Sequence, residues 1–151
     1  MSDYIAGKAL RKLQLGAKVE RTTANLTTGL ALFNILGGRV QLNLIVGEVT
    51  TIMQAGANAC KLTADPTIGA TTDLCATADM DAAEAGTLIT ISGTAVTAMQ
   101  LGKSGSVRGQ DSPVILAVGQ MIWVQAAVKT GSVKWTLFYI PIDDGAYVTA
   151  A

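Results

Sequence analysis

The residues able to do chemistry are few, and their spacing serves none of the common mechanisms. Among 151 residues there is no histidine. That removes the usual general base, the imidazole metal ligand and any Ser-His-Asp or Cys-His arrangement. Carboxylates pair in sequence at Asp79/Asp81, with Glu84 close by, and at Asp143/Asp144. Neighbours in polar segments do not acquire the separated pKa values that acid–base work requires. The spacing of 79, 81 and 84 fails the calcium-loop pattern, which also needs a mid-loop glycine, so this stretch reads as a solvated loop or single helical turn. Cys60 and Cys75 make no zinc site without further ligands and read as small buried thiols. The loop GKSGSVRGQDSP over 102–113 holds glycines and a lysine, but its glycine spacing is not that of a phosphate-binding loop. No catalytic, cofactor or metal site is expected, and no enzyme.

Charge is the more informative property. Only 15% of residues are charged, against about 25% in ordinary soluble domains. A chain that hides surface in permanent contacts can do with less, which favours an oligomer or an assembly component. The charge is also unevenly placed. Residues 1–21 hold Lys8, Arg11, Lys12, Lys18 and Arg21 against Asp3 and Glu20, while the rest carries six basic and nine acidic residues. A basic arm on an acidic body suits docking onto an acidic protein neighbour or contact with nucleic acid; a solvated terminus has the same composition. The docking candidates are Lys8, Arg11, Lys12 and Lys18. No stretch reaches the roughly 20 apolar residues of a membrane helix, and the N-terminus lacks the uninterrupted apolar core of a secretory signal. A cytosol-like compartment is expected until assembly.

The elements that would position such residues are strands. Only residues 1–21 carry a helical pattern, with Leu10 and Leu13 between Lys8, Arg11 and Lys12, bounded by Gly7 and Gly16. From Thr28 onward the apolar period is two, with turn signals about every ten residues. Two hairpins are predicted. One joins Thr28–Leu36 to Arg39–Gly47 around Gly37-Gly38, with Asn34, Gln41 and Asn43 on an amide-rich outer face suited to a polar interface or to solvent. The other joins Met121–Lys129 to Ser132–Ile140 around Thr130-Gly131. It pairs Val128, Ala126, Val124 and Ile122 with Val133, Trp135, Leu137 and Tyr139 as the core face. Its opposite face leaves Met121, Trp123, Phe138 and Ile140 as an apolar patch needing a cover, and a second copy is the expected one. The predicted organisation is an N-terminal arm over 1–24, a β domain over 25–142 and a C-terminal tail over 143–151. The expected class is all-β: an antiparallel sandwich, jelly roll or barrel.

Three runs carry a resemblance: TTGLALFNILGGRVQLNLIVGEVTT, ADPTIGATTDLCATADMDAAEAGTLITISGT and GSVKWTLFYIPIDDGAYVTAA. They resemble small structural proteins encoded among the head genes of tailed bacteriophages, in particular capsid decoration or cement proteins. The resemblance spans residues 27–151 and rests on phrases such as LFNILGGRV, VGEVTT and DPTIGATTDLCA, not on a functional motif. It implies a β-rich body, often a homotrimer, on the outer head surface, with the major capsid protein and sister copies as partners. It implies localisation to the virion after synthesis in the host cytoplasm; no membrane partner is expected, and nucleic acid is not the expected partner. The N-terminal part departs from the family pattern. The alternatives are a head-fibre or tail-associated host-binding module, or a tail structural protein.

Overall fold

The structure is a computed structural model and describes residues 5–151. One short helix, α1 (Gly7–Leu15), opens the described chain. The first strands are β1 (Ala17–Ala24), β2 (Leu30–Leu36), β3 (Val40–Thr51) and β4 (Ala59–Pro66). Short strands follow: β5 (Thr72–Asp73), β6 (Ala78–Asp79), β7 (Leu88–Thr90), β8 (Gln100–Gly102) and β9 (Val114–Leu116). The chain finishes with β10 (Gly119–Gln125), β11 (Ser132–Pro141) and β12 (Tyr147–Ala150). They form two antiparallel sheets. In the first the order is β1-β11-β3-β7-β8, with β9 also on β3; in the second it is β12-β2-β10-β4-β5, with β6 also on β4. The sheets face each other as a sandwich, and neither closes into a barrel.

The all-β expectation is met, but both predicted hairpins are corrected. β2 and β3 lie in different sheets, as do β10 and β11. Alternation records that a strand has one buried face; it does not record which strand it pairs with. Each glycine-containing connection therefore carries the chain across the sandwich. At the first, Gly37 has φ 75°, and a Cβ there would stand 2.2 Å from the Gly145 carbonyl oxygen, so only glycine fits between the turn and the C-terminal segment. At the second, the backbone N–H groups of Ala126, Ala127 and Thr130 are taken by Ala59 O, Asn58 Oδ1 and Gln54 Oε1. The crossover is thus bolted to the neighbouring loop over 54–59.

The crossing inverts one predicted face. β11 buries Val133, Trp135, Leu137 and Tyr139 as expected, but β10 buries Met121, Trp123 and Gln125, and Val128 is exposed. Strands in opposite sheets each point their inner face at the other. Trp123 and Trp135 consequently meet across the core, ring centroids 5.6 Å apart and planes tilted by 56°. Trp123 Nε1 donates to Gln125 Oε1 at 2.7 Å, and Gln125 Nε2 donates to the Leu26 carbonyl, so this buried amide is satisfied at both ends. Room for Trp135 comes from Gly47 in β3, where a Cβ would lie 2.8 Å from the indole ring.

The ends of the chain also belong to the body. Residues 17–24, predicted as part of an arm, are β1, paired along its whole length with β11 from Ala17↔Tyr139 to Ala24↔Ser132. Within the predicted tail, β12 pairs with β2, Val148 opposite Ile35. The start of this last segment is pinned by Asp143, whose carboxylate accepts from the Arg39 backbone N–H at 2.7 Å, from Arg39 Nε at 2.9 Å and from Arg39 Nη2 at 2.7 Å. Hydrogen bonds from Arg39 hold the Asp143 carboxyl well below the usual carboxylate range. A carboxyl depressed in the folded state adds stability above its unfolded pKa of about 4, and that stability is lost as pH falls further. Asp143→Asn should therefore lower the urea midpoint at neutral pH, and the two proteins should converge in strong acid. Equal midpoints at neutral pH would contradict this role.

Candidate interaction surface

Lys8 to Leu15 are, apart from their order, a run of good helix formers, and Gly16 stops them. At Gly16 (φ 94°) the backbone N–H returns to Lys12 O at 3.1 Å, and a Cβ there would lie 2.1 Å from Tyr139 O. Glycine thus ends the helix and lets the junction press against β11. Asn43 Nδ2 donates to the Leu15 carbonyl at 2.9 Å, and Gln41 Nε2 donates to Asn43 Oδ1 at 2.8 Å. Gln41 and Asn43, two of the three amides read from the sequence as suited to a polar interface or to solvent, are used here within the chain to hold the last turn of α1; Asn34 lies in the other sheet and accepts from Gln120 Nε2 at 2.9 Å.

No residue of α1 is buried. Lys8, Arg11 and Lys12 fall at i, i+3 and i+4 and share one helix face, while Leu10 and Leu13 share another. The basic face, with Gly16, Ala17, Lys18 and Phe138, lines a cleft of about 540 Å³ between helix and sheet. The leucines are left to solvent, Leu13 at 76% exposure. All four basic residues singled out from the sequence are therefore gathered around one concavity. Lys18 Nζ lies 3.0 Å from Glu20 Oε1, and Lys134 Nζ lies 3.8 Å from Glu20 Oε2. The Glu20 carboxyl is lowered first by the hydrogen bond from Lys18, then by the charges of Lys134 and Lys18.

The apolar set divides. Phe138 points away from the core and is 8% exposed at the cleft; Ile140, two residues on, is 42% exposed beside Gly16. Met121 and Trp123 are corrected: both are fully buried between the sheets and present nothing to a second copy. Alternation on an isolated hairpin could not show this, because the covering surface is the other sheet of the same chain. Other apolar side chains that remain uncovered were not among the residues singled out from the sequence. Ile68 is 91% exposed and, with Ala117 and Val118, lines a depression of about 360 Å³ that also holds Arg39 and Asp143. Ile115 lines the neighbouring depression with Ala70 and Ala95. Ile68 follows Pro66 outside any strand, and the three-residue strand β9 is too short for alternation to show which of its side chains is uncovered.

The remaining chemical candidates are structural. Asp79 Oδ1 accepts from the N–H of Asn58 at 2.8 Å and of Asp81 at 3.1 Å, and Asp81 Oδ1 accepts from Gly56 N–H at 2.6 Å. Among the described residues no cluster of three or more His, Cys, Asp or Glu side chains could hold a metal ion. Cys60 and Cys75 are free and buried. Burial, with a smaller contribution from Asp79, pushes the Cys60 thiol up to about 12; burial is also the main cause of the rise at Cys75. At about pH 8 the Cys60 thiolate fraction is then roughly one in ten thousand, so a disulfide reagent should react with the native protein far more slowly than with the urea-unfolded chain. Equal rates in the two states would contradict the buried assignment.

Among the described residues no helix is long and apolar enough to cross a membrane. Comparison of the chain with protein-family models, with curated proteins and with solved structures returns no match.

Proposed function

We propose that the protein is a structural component of a phage particle, a decoration or cement protein that binds the outer surface of the head. The observation that carries this reading is the gathering of Lys8, Arg11, Lys12 and Lys18 around one cleft, beside a leucine-bearing helix that buries none of its own residues. Among the described residues Lys8, Arg11 and Lys12 have no carboxylate partner, and such a surface is complementary to an acidic protein face. The major capsid protein supplies that face in this reading. The sandwich acts as a rigid body, and α1 is its grip.

The chemistry asked of it is binding alone. A body that holds several neighbouring capsid subunits stabilises the shell by mass action, because it binds the assembled lattice and not the separated subunits. Copies associate with one another, as a homotrimer, through apolar side chains the fold leaves uncovered, with Ile140 kept from the sequence reading and Ile68, Ile115 and Val118 added to it. The test is the thermal disruption of empty heads with and without saturating protein. Heads carrying the protein should disrupt at a higher temperature. Disruption at the same temperature, with protein shown to be bound, would remove the cementing role.

A further inference from the structure

We propose that the cleft between α1 and the first sheet receives an acidic segment of a protein partner, and that Glu20 is a built-in competitor that sets its affinity. This deepens the reading above and rests on the same surface. Lys8, Arg11 and Lys12 approach the cleft from the helix, and Lys18 approaches from β1. Among the described residues Lys18 alone of the four is paired with a carboxylate, that of Glu20 at 3.0 Å. Glu20 stands at the edge of the cleft, outside its lining, where its carboxylate lies between the ammonium groups of Lys18 and Lys134 and is stabilised in its charged form. A partner carboxylate arriving at Lys18 must share it with Glu20.

Three acidic surfaces could in principle answer this charge, and the geometry favours protein. A helix lying on an anionic bilayer sinks its apolar stripe while its cations flank that stripe at the headgroups. Here Lys8, Arg11 and Lys12 turn towards the chain's own cleft, while Leu10 and Leu13 share the other helix face. Nucleic acid is bound by extended basic stripes with stacking aromatics, whereas among the described residues the one aromatic side chain at this cleft, Phe138, is nearly buried. A polypeptide can place carboxylates in the concavity and still cover the leucines with apolar side chains, which neither alternative does.

The test is fluorescence anisotropy of the full chain with a short labelled peptide of alternating Glu and Leu, and with its Gln-for-Glu counterpart. The Glu peptide should bind, and the Gln peptide should bind at least about tenfold more weakly. Lys8→Glu with Lys12→Glu should abolish binding without changing the melting temperature, since neither side chain is buried. Glu20→Gln should tighten binding severalfold. Equal binding of the two peptides would overturn the proposal, as would tighter binding to phosphatidylglycerol vesicles or to a single-stranded oligonucleotide. An unchanged or weakened affinity in Glu20→Gln would overturn the competitor role. If the peptide binds but phage heads do not, the cleft stands and the shell reading falls. If heads bind the charge-reversed chain as well as the original, the shell reading stands and the cleft falls.

Discussion

Trp135→Ala is expected to lower the unfolding free energy by about 3–5 kcal/mol, the usual range for removing a fully buried large aromatic. Trp135 is 0% exposed and packs against Trp123 across the core, so truncation opens a cavity where the two sheets meet. In a domain of this size that corresponds to a melting temperature lower by roughly 6–20 °C. Domain stability is about 5–15 kcal/mol in total, so the loss is a large fraction of it. Gly47→Ala is the complementary change. Gly47 lies in β3 without a left-handed backbone, and an added Cβ would meet Trp135 at 2.8 Å and Val133 at 3.0 Å. Overpacking of this kind costs about 1–3 kcal/mol. In a Trp135→Leu background the part of that cost due to the indole should vanish, because its two contacting ring atoms are gone and only Val133 remains in the way; a double-mutant cycle in urea measures the coupling. Additive effects would show that Gly47 does not exist to house Trp135.

The second large effect is on binding and should leave stability alone. Reversing Lys8, Arg11 and Lys12 together to Glu places three like charges before an acidic partner and should weaken attachment to heads by a factor of about a hundred or more. Attachment of the unaltered chain should also weaken steeply as salt is raised, since the cleft is open to solvent. The melting temperature should stay within about a degree or two, because surface substitutions cost little. A stable variant that still binds would take the basic cluster out of the account. A variant that loses both binding and stability would mean that α1 is part of the folding unit, which its lack of buried residues contradicts.

The fold class was legible because period-two alternation survives whatever the pairing. Val133, Trp135 and Leu137 face the core whether β11 pairs with β10 or with β1 and β3. The pairing was not legible, because Gly37-Gly38 and Thr130-Gly131 suit a tight reversal and a crossover equally well. Two further irregularities break simple counting. The β3 register with β11 shifts between Phe138 and Tyr139, so burial passes from Val40 and Leu42 to Ile45, Gly47 and Val49. In β2 both Leu32 and Phe33 are buried, at a shift in the register with β10. The basic residues Lys8, Arg11, Lys12 and Lys18 were legible by composition, but their gathering around one cleft comes from α1 folding back against β1 and β11, since ten extended residues could separate them by about 33 Å. Phe138 and Glu20 were not attached to that cluster, because only the pairing of β1 with β11 brings Lys18 beside Phe138 and Glu20 within reach of Lys134.

The pairing of β1 also fixes how the central claim should be tested. Truncation must stop before Gly16, since Ala17–Ala24 is an edge strand whose loss would strip β11 of a neighbour. The decisive measurement is co-sedimentation of the intact chain, and of a chain lacking residues 1–15, with empty phage heads at low salt. The intact chain should saturate the heads and the truncated chain, folded and with an unchanged melting temperature, should stay in the supernatant. Equal occupancy by both, or no occupancy by either, would contradict a sandwich that grips a larger shell through its basic N-terminal helix.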